Sequence, residues 1–154
     1  MSSRGKIAIA ILGAVASTMP AQASDAFKYI PAKQVLADVA DTSKGPAVKI
    51  YFNHDTFLEE IAARDKTGQV EIHKSWNDYL TVLSGEAKLT VGGTPVGMKQ
   101  TSPGELRGDS ITGGQTVTLH PGDMVTIPAS MPHWLQLAPG ARFRYLVFKT
   151  KEPG

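Results

Sequence analysis

The chain has 154 residues, of which 42% are hydrophobic and 19% are charged, and this suits one globular domain with its own core. Of its 16 basic residues, Arg4 and Lys6 lie in the first segment; without them 14 basic residues balance the 14 acidic ones. No basic excess is left for nucleic acid or an anionic membrane. The absence of cysteine excludes disulfides, thiolate ligands and a cysteine nucleophile.

The first 23 residues have the pattern of a secretory signal peptide. Two basic residues precede an apolar run over 7–16, and Ala21 and Ala23 are small residues where a signal peptidase cleaves. The run is too short to span a bilayer well, and an uncleaved N-terminal anchor is the alternative. We therefore expect a periplasmic or secreted domain over 24–154, not attached to the membrane after cleavage.

The remaining chain predicts one helix followed by many strands. Pro31 at a helix-start position and apolar residues at helical spacing predict a short helix over 31–41. Between about 47 and 150, β-type runs separated by Gly and Pro predict strands over 48–53, 57–63, 69–73, 80–83, 86–91, 115–119, 123–127, 134–137 and 143–149. This texture is typical of an all-β sandwich or barrel in a single domain.

The segment 92–114 is rich in glycine, contains two prolines and shows no hydrophobic periodicity. It predicts a long loop, and such loops are usually functional or mobile.

A first polar group lies around residue 73. Glu71 and His73, two apart on a predicted strand, point to the same face of the sheet, and burying them there requires partners. The segment 74–77 predicts a turn, after which Asp78 begins the next strand. The turn allows Asp78 to converge with His73 despite their odd spacing.

A second group ends at His133. Gly122 and Asp123 predict a tight turn, an apolar strand follows, and Pro128 and Pro132 enclose a rigid corner. His133 is thus held at the start of another strand, and an imidazole fixed in this way suits a metal site.

These two segments resemble the paired motifs of the cupin superfamily. The first motif, His-x-His, three or four residues, Glu, six residues, Gly, is similar to Glu71-x-His73, Asp78 and Gly85. The second, Gly, five residues, Pro-x-Gly, two residues, His, is similar to 122–133, with serine at position 130. The resemblance covers about 68–137. It implies a double-stranded β-helix (jelly-roll) barrel, here with a short N-terminal helix.

The resemblance also implies a set of metal ligands. Glu71 stands at the first His position, His73 at the second, Asp78 at the Glu position and His133 at the second-motif His. Two imidazoles with one or two carboxylates suit Mn, Fe, Ni or Zn, and loading in the periplasm mildly favours metals other than Fe(II). Alternatively, Asp78 caps a turn, Glu71 is a general base or a partner of a ligand, or the pocket is vestigial.

The segment 104–108, Gly-Glu-Leu-Arg-Gly, resembles a feature of one group of small bacterial cupins, as does the ending Tyr145-x-x-x-Lys149. Glu105 and Arg107 could line the cavity mouth and act on a polar or anionic substrate group, and a loop-pinning salt bridge is the alternative. His54 and His120 are predicted in exposed turns.

Three functions follow as hypotheses. The first is a divalent-metal-dependent enzyme, an isomerase, lyase or dioxygenase, acting on a small organic molecule. The second is a barrel that binds a small ligand or a metal without turnover. The third is a structural module that pairs into a homodimer through edge strands.

Overall fold

The computed structural model describes residues 27–153, and the predicted signal peptide lies outside them. The described chain begins with one helix and continues as strands. In chain order the elements are α1 Ala32–Asp38, β1 Ala47–Asn53, β2 Phe57–Arg64, β3 Val70–His73, β4 Trp76–Ser84, β5 Ala87–Val91, β6 Thr94–Val96, β7 Lys99–Ser102, β8 Glu105–Gly108, β9 Ser110–Thr112, β10 Gln115–Leu119, β11 Met124–Ile127, β12 His133–Gln136 and β13 Phe143–Lys151.

Two antiparallel sheets face each other across the core. One has the strand order β1-β2-β13-β4-β11, the other the order β10-β5-β12-β3-β8-β7, and β6 and β9 form a separate ribbon. Alternate residues of both sheets point inward, and the largest cluster includes Leu80, Leu89, Phe143, Tyr145 and Val147. The strand order is that of a jelly roll, so the predicted all-β double-stranded β-helix with a short N-terminal helix is confirmed.

Helix α1 covers the outer face of the five-stranded sheet. Val39, directly after the helix, is fully buried against Tyr51 and Ile61, and the Tyr51 hydroxyl donates to Asp38 Oδ2 at 3.0 Å. The helix is shorter than the predicted 31–41, because Pro31 caps it and Val39 leaves the helical conformation to reach this cluster. No helix in residues 27–153 is long and apolar enough to cross a membrane.

All nine predicted strands are present, but the prediction of a structureless loop over 92–114 was wrong. The segment forms β6 to β9, in which β7 pairs with β8 and β6 with β9. Strands of three or four residues between glycines are too short to produce a detectable period. Strand β8 also pairs with β3 and extends the six-stranded sheet. Likewise the turn predicted over 74–77 is shorter, since β4 already begins at Trp76.

Candidate metal centre

The polar residues singled out in the sequence converge inside the barrel. A cleft of about 630 Å³ opens between the two sheets. Its walls include Glu71, His73, Glu105 and Arg107. A smaller adjoining cavity of about 60 Å³, the inner end of the cleft, is lined by Asp78 and His133 and shares Glu71 with the larger one. The six predicted site residues are thus brought together, and the same-face prediction for Glu71 and His73 is confirmed.

The two histidines form the centre of this group. His73 ends β3 and His133 begins β12, and the two strands are hydrogen-bonded neighbours, with His133 opposite Glu71. The two residues are 5% and 7% exposed, and their ring centroids lie 5.2 Å apart. Both imidazoles are therefore held by sheet backbone in a mostly desolvated interior.

Hydrogen bonds orient both imidazole rings so that Nδ1 faces an acceptor. His73 Nδ1 lies 2.6 Å from Glu105 Oε2, and His133 Nδ1 lies 3.1 Å from the Met131 carbonyl oxygen. Because both partners are acceptors, they place the proton of each neutral ring on Nδ1. The lone pair of each Nε2 then faces the cleft. Carboxylate and carbonyl partners of this kind commonly orient metal-binding histidines.

Glu71 supplies a third ligand atom close to both rings. One atom each from Glu71, His73 and His133 can be chosen so that all lie within 4.8 Å of one another. Arg64 donates to Glu71 Oε1 at 2.8 Å, and Arg107 NH2 is 3.3 Å from Oε2. Burial opposes ionisation of Glu71, but the two guanidinium groups outweigh it and hold its pKa below the usual value. This carboxyl group is therefore an anion.

Asp78 points into the same space from the opposite sheet. Its Oδ2 lies 3.4 Å from His73 Nε2 and 3.8 Å from His133 Nε2. Burial again opposes ionisation, but His73 and Lys149 hold the pKa of Asp78 below its ordinary value. Its buried Oδ1 forms an ion pair with the Lys149 ammonium at 3.1 Å. Asp78 therefore converges with His73 from the following strand, as predicted.

The two imidazoles differ in how readily they accept a second proton. Burial lowers the pKa of His133 and keeps that ring neutral. Burial also opposes protonation of His73, but the hydrogen bond with Asp78 and the charges of Asp78 and Glu105 outweigh it, so its pKa is raised. Since a ligand imidazole must be neutral, His133 is ready to bind a metal over a wider pH range than His73.

Strand β8 places Glu105 and Arg107 beside the ligand group. In the β3–β8 register Glu105 is opposite His73 and Arg107 is opposite Glu71. Arg107 NH1 also lies 3.2 Å from Glu105 Oε2, so the two side chains form a bridge between His73 and Glu71. They are half-buried parts of the site wall and not a salt bridge confined to a surface loop.

Three charged residues of the cleft were missed or left without a role in the sequence. Glu60 and Arg64 lie on β2 and face inward with Ala62 between them, and Lys149 lies on β13 opposite Asp78. The available signal was the spacing of two residues between positions 60, 62 and 64, which places all three on one face of a strand. It was hidden because Ile61 and Ala63 on the other face are buried as well. Lys149 was noted only as part of a terminal motif.

Each of these residues has a defined contact or charge effect. Arg64 Nε donates to the Tyr145 hydroxyl at 2.8 Å, which fixes the guanidinium against Glu71. Burial, reinforced by the charges of Asp78 and Glu71, raises the pKa of Glu60 even though Lys149 opposes the shift. By contrast His54 and His120 are exposed and lie outside the cleft, as predicted for turn residues.

The donor set fits a divalent transition metal. Two imidazoles whose Nε2 atoms face the cleft and one ionised carboxylate are ligands typical of Zn, Mn, Ni or Fe, and the Asp78 carboxylate beside them is a further oxygen donor. The group Glu71, His73 and His133 could therefore hold a metal ion, whose identity the ligands leave open.

Comparison with known proteins defines the fold. No protein-family model and no curated protein matches the sequence. The structure is similar to the cupin domain of Cnp3 from Schizosaccharomyces pombe, with a TM-score of 0.52 and 10% identity over 70% of this chain and 65% of that one. Here the match spans just under two thirds of the neighbour's length.

Two bacterial structures match over more of their length. A Klebsiella pneumoniae protein with a double-stranded β-helix domain has a TM-score of 0.55 and 16% identity over 82% of this chain and 90% of its own. A conserved Streptococcus pyogenes protein of unknown function has a TM-score of 0.57 and 15% identity over 83% and 92%. Identities this low establish the fold alone. The chain is a cupin-fold barrel with a His- and carboxylate-lined cleft.

Proposed function

We propose that this barrel is a periplasmic, divalent-metal-dependent enzyme that acts on a small organic molecule. The observation that carries the proposal is the shared orientation of His73 and His133. Each Nδ1 is held by an acceptor, each Nε2 faces the cleft, and a Glu71 carboxylate oxygen lies within 4.8 Å of a ring nitrogen of each histidine. Such preorganisation of three donor atoms in a desolvated site is a usual requirement for metal binding.

The chain's own side chains provide proton transfer and charge recognition. A bound divalent ion supplies Lewis-acid chemistry, which serves isomerases, lyases and dioxygenases alike. Glu60 lines the same cleft with a raised pKa, and it is therefore the carboxyl group best able to hold a proton and donate it. Its neighbour Glu71 remains ionised as a ligand.

The charge of the cleft favours an anionic substrate once the metal is bound. Three cationic side chains already face three carboxylates in the cleft, so their charges balance. The cations are Arg64, Arg107 and Lys149, and the carboxylates are Glu71, Asp78 and Glu105. A divalent cation added to this balanced group leaves a positive excess, which a carboxylate or another anionic group on the substrate would neutralise. The open volume of about 630 Å³ suits a small molecule.

The proposal is tested by metal content and affinity. We expect protein purified from the periplasm to bind about one equivalent of Zn, Mn, Ni or Fe in this site. His73→Ala and His133→Ala should each weaken binding by more than the 10–100-fold typical for loss of a partner of a ligand. His54→Ala removes an exposed histidine outside the cleft and is the control. Calorimetry and elemental analysis provide the measurements.

Two results would contradict the metal site. One is less than about a tenth of an equivalent of metal in the purified protein, with none bound on addition. The other is unchanged occupancy in both histidine variants.

A non-catalytic ligand-binding barrel is the second candidate, and one contact favours it. The Lys149 ammonium lies 3.1 Å from Asp78 Oδ1 and 3.1 Å from His73 Nε2, so the cluster has a cation of its own. A barrel of this kind would bind an anionic molecule through Lys149 and Arg107 without a metal. Ligands found by thermal-shift screening, tested for turnover with and without metal, distinguish the two candidates.

A further inference from the structure

Lys149 is a cation built into the predicted ligand group. Strand β13 runs between β2 and β4 and places Lys149 directly opposite Asp78. Its Nζ lies 3.1 Å and 3.2 Å from the two Asp78 carboxylate oxygens and 3.1 Å from His73 Nε2. The side chain is 15% exposed, so these contacts are only partly screened by water.

The contact with His73 uses the electron pair that a metal needs. In the neutral His73 ring, Nδ1–H is given to Glu105, so Nε2 is an acceptor and the Lys149 ammonium donates to it. An imidazole nitrogen has one lone pair in the ring plane. It can accept a hydrogen bond or bind a metal, but it cannot do both.

The same ammonium also neutralises Asp78. Since a buried carboxylate needs a compensating charge, Asp78 is stable here with Lys149 as its partner. A divalent ion close to both would repel the ammonium. Metal binding would therefore remove Lys149 from two partners at once.

We propose that Lys149 is a built-in competitor of the metal ion and sets the affinity of the site for it. In the metal-free barrel its ammonium takes the His73 lone pair and the Asp78 carboxylate, and metal binding displaces it into the cleft. Lys149 borders both the inner end and the open part of the cleft, and Glu60 lies there on the neighbouring strand. This inference rests on the proposed metal-dependent function and deepens it.

Removing the ammonium tests the competition. Lys149→Met keeps a long unbranched side chain but leaves the His73 lone pair and Asp78 free. Calorimetry with Zn²⁺ alone should show affinity at least about tenfold higher than for the wild type, which corresponds to about 1.4 kcal/mol. Lys88→Met removes an exposed lysine on β5 and should bind Zn²⁺ as the wild type does.

A second variant guards against misfolding. In Lys149→Met the buried Asp78 carboxylate has lost its partner, which destabilises that variant. The double variant Lys149→Met/Asp78→Asn is therefore compared with Asp78→Asn alone. The double variant should bind Zn²⁺ more tightly than Asp78→Asn does, because loss of the lysine releases the His73 lone pair whether residue 78 is Asp or Asn.

The outcomes separate this inference from the function on which it rests. Wild-type protein that binds Zn²⁺ while Lys149→Met binds it equally or more weakly overturns the competition and leaves the metal site standing. Absence of Zn²⁺ binding in every variant overturns the proposed metal-dependent function, and the competition with it. Tighter binding in Lys149→Met than in Lys88→Met supports both.

Discussion

Glu60 and Glu71 line the same cleft, yet their surroundings move their pKa values in opposite directions. Burial and the neighbouring carboxylates Asp78 and Glu71 raise the pKa of Glu60, whereas Arg64 and Arg107 overcome burial at Glu71 and lower it. Two carboxyl groups separated in this way can serve as proton donor and as anionic ligand at one pH. Arg64 and Arg107 are thus the reason why burial does not raise the pKa of Glu71 as it does that of Glu60.

The raised pKa of Glu60 predicts how stability depends on pH. The folded protein holds this proton more tightly than the unfolded chain, so Glu60 favours the folded state at low pH, and that contribution is lost as pH rises through the folded pKa. Glu60→Gln, which imitates the protonated form, should match the wild type near pH 4. Above neutrality it should become more stable than the wild type, by about 1.4 kcal/mol for every tenfold difference in proton affinity between the folded and unfolded states.

Urea unfolding across this pH range measures the difference in free energy of unfolding. Glu59→Gln, an exposed carboxylate on the opposite face of β2, is the control for loss of one charge. A Glu60→Gln difference that stays constant from acid to neutral pH would show that the environment of Glu60 does not raise its pKa.

The sequence was sufficient to predict the cleft residues that lie at motif spacings. It was insufficient to predict those that reach the cleft only through strand pairing. Glu71, His73, Asp78 and His133 lie at motif spacings, and all four reach the cleft. Lys149 enters because β13 pairs with β4, a contact across 71 residues that no local spacing encodes. The same holds for Arg64, whose contact with Tyr145 spans 81 residues.

At the scale of elements, the β3–β8 pairing supports the ligand group. Its register places Glu105 against His73 and Arg107 against Glu71. Cross-strand neighbours on one face are close enough to interact, so one register defines both contacts. The sequence indicated Glu105 and Arg107 as residues of interest, but only the paired strands explain their positions.

The turn between β4 and β5 explains the glycine that ends the first motif. Gly85 has a φ of +84°, and a Cβ there would lie 1.9 Å from the Arg142 carbonyl oxygen. A side chain is thus opposed both by backbone conformation and by a collision with the chain just before β13. Gly85 is required because two backbone segments meet there.

We therefore expect Gly85→Ala to reduce the free energy of unfolding by at least about 3 kcal/mol. Gly140 also has a positive φ, +76°, but its Cβ would meet no atom within 4 Å. Gly140→Ala should lose only about 1 kcal/mol for the unfavourable conformation. Chemical denaturation of both variants measures the difference, and equal losses would rule out the close approach at Gly85.

At the scale of the whole molecule, the barrel presents two unlike faces. Helix α1 and Val39 cover the outside of the five-stranded sheet, where Tyr51 bonds to Asp38 and Arg142 donates to the Val39 carbonyl. The cleft lies on the inner side of the same sheet. The N-terminal part of the described chain therefore braces the barrel without entering the site.

The proposed signal peptide predicts a defined mature chain. Expressed in a Gram-negative host, the protein should be recovered from the periplasm beginning at Ser24, since Ala21 and Ala23 are the small residues read at the cleavage site. Ala23→Tyr should accumulate the uncut precursor. Intact mass and cell fractionation measure both. A full-length chain in the membrane fraction would instead favour the uncleaved anchor, and one in the cytoplasm would exclude export.

The central position of β13 has a consequence for how the protein folds. This strand, the last of those in residues 27–153, lies between β2 and β4, and it carries Lys149. Pairings between such distant segments have high contact order and form late, after the costly loop closure that precedes them. On the proposed export route, a chain still crossing the membrane would expose an incomplete sheet until β13 arrives. Lys149, the proposed competitor for the His73 lone pair, would thus be the last charged residue of the cleft to take its place.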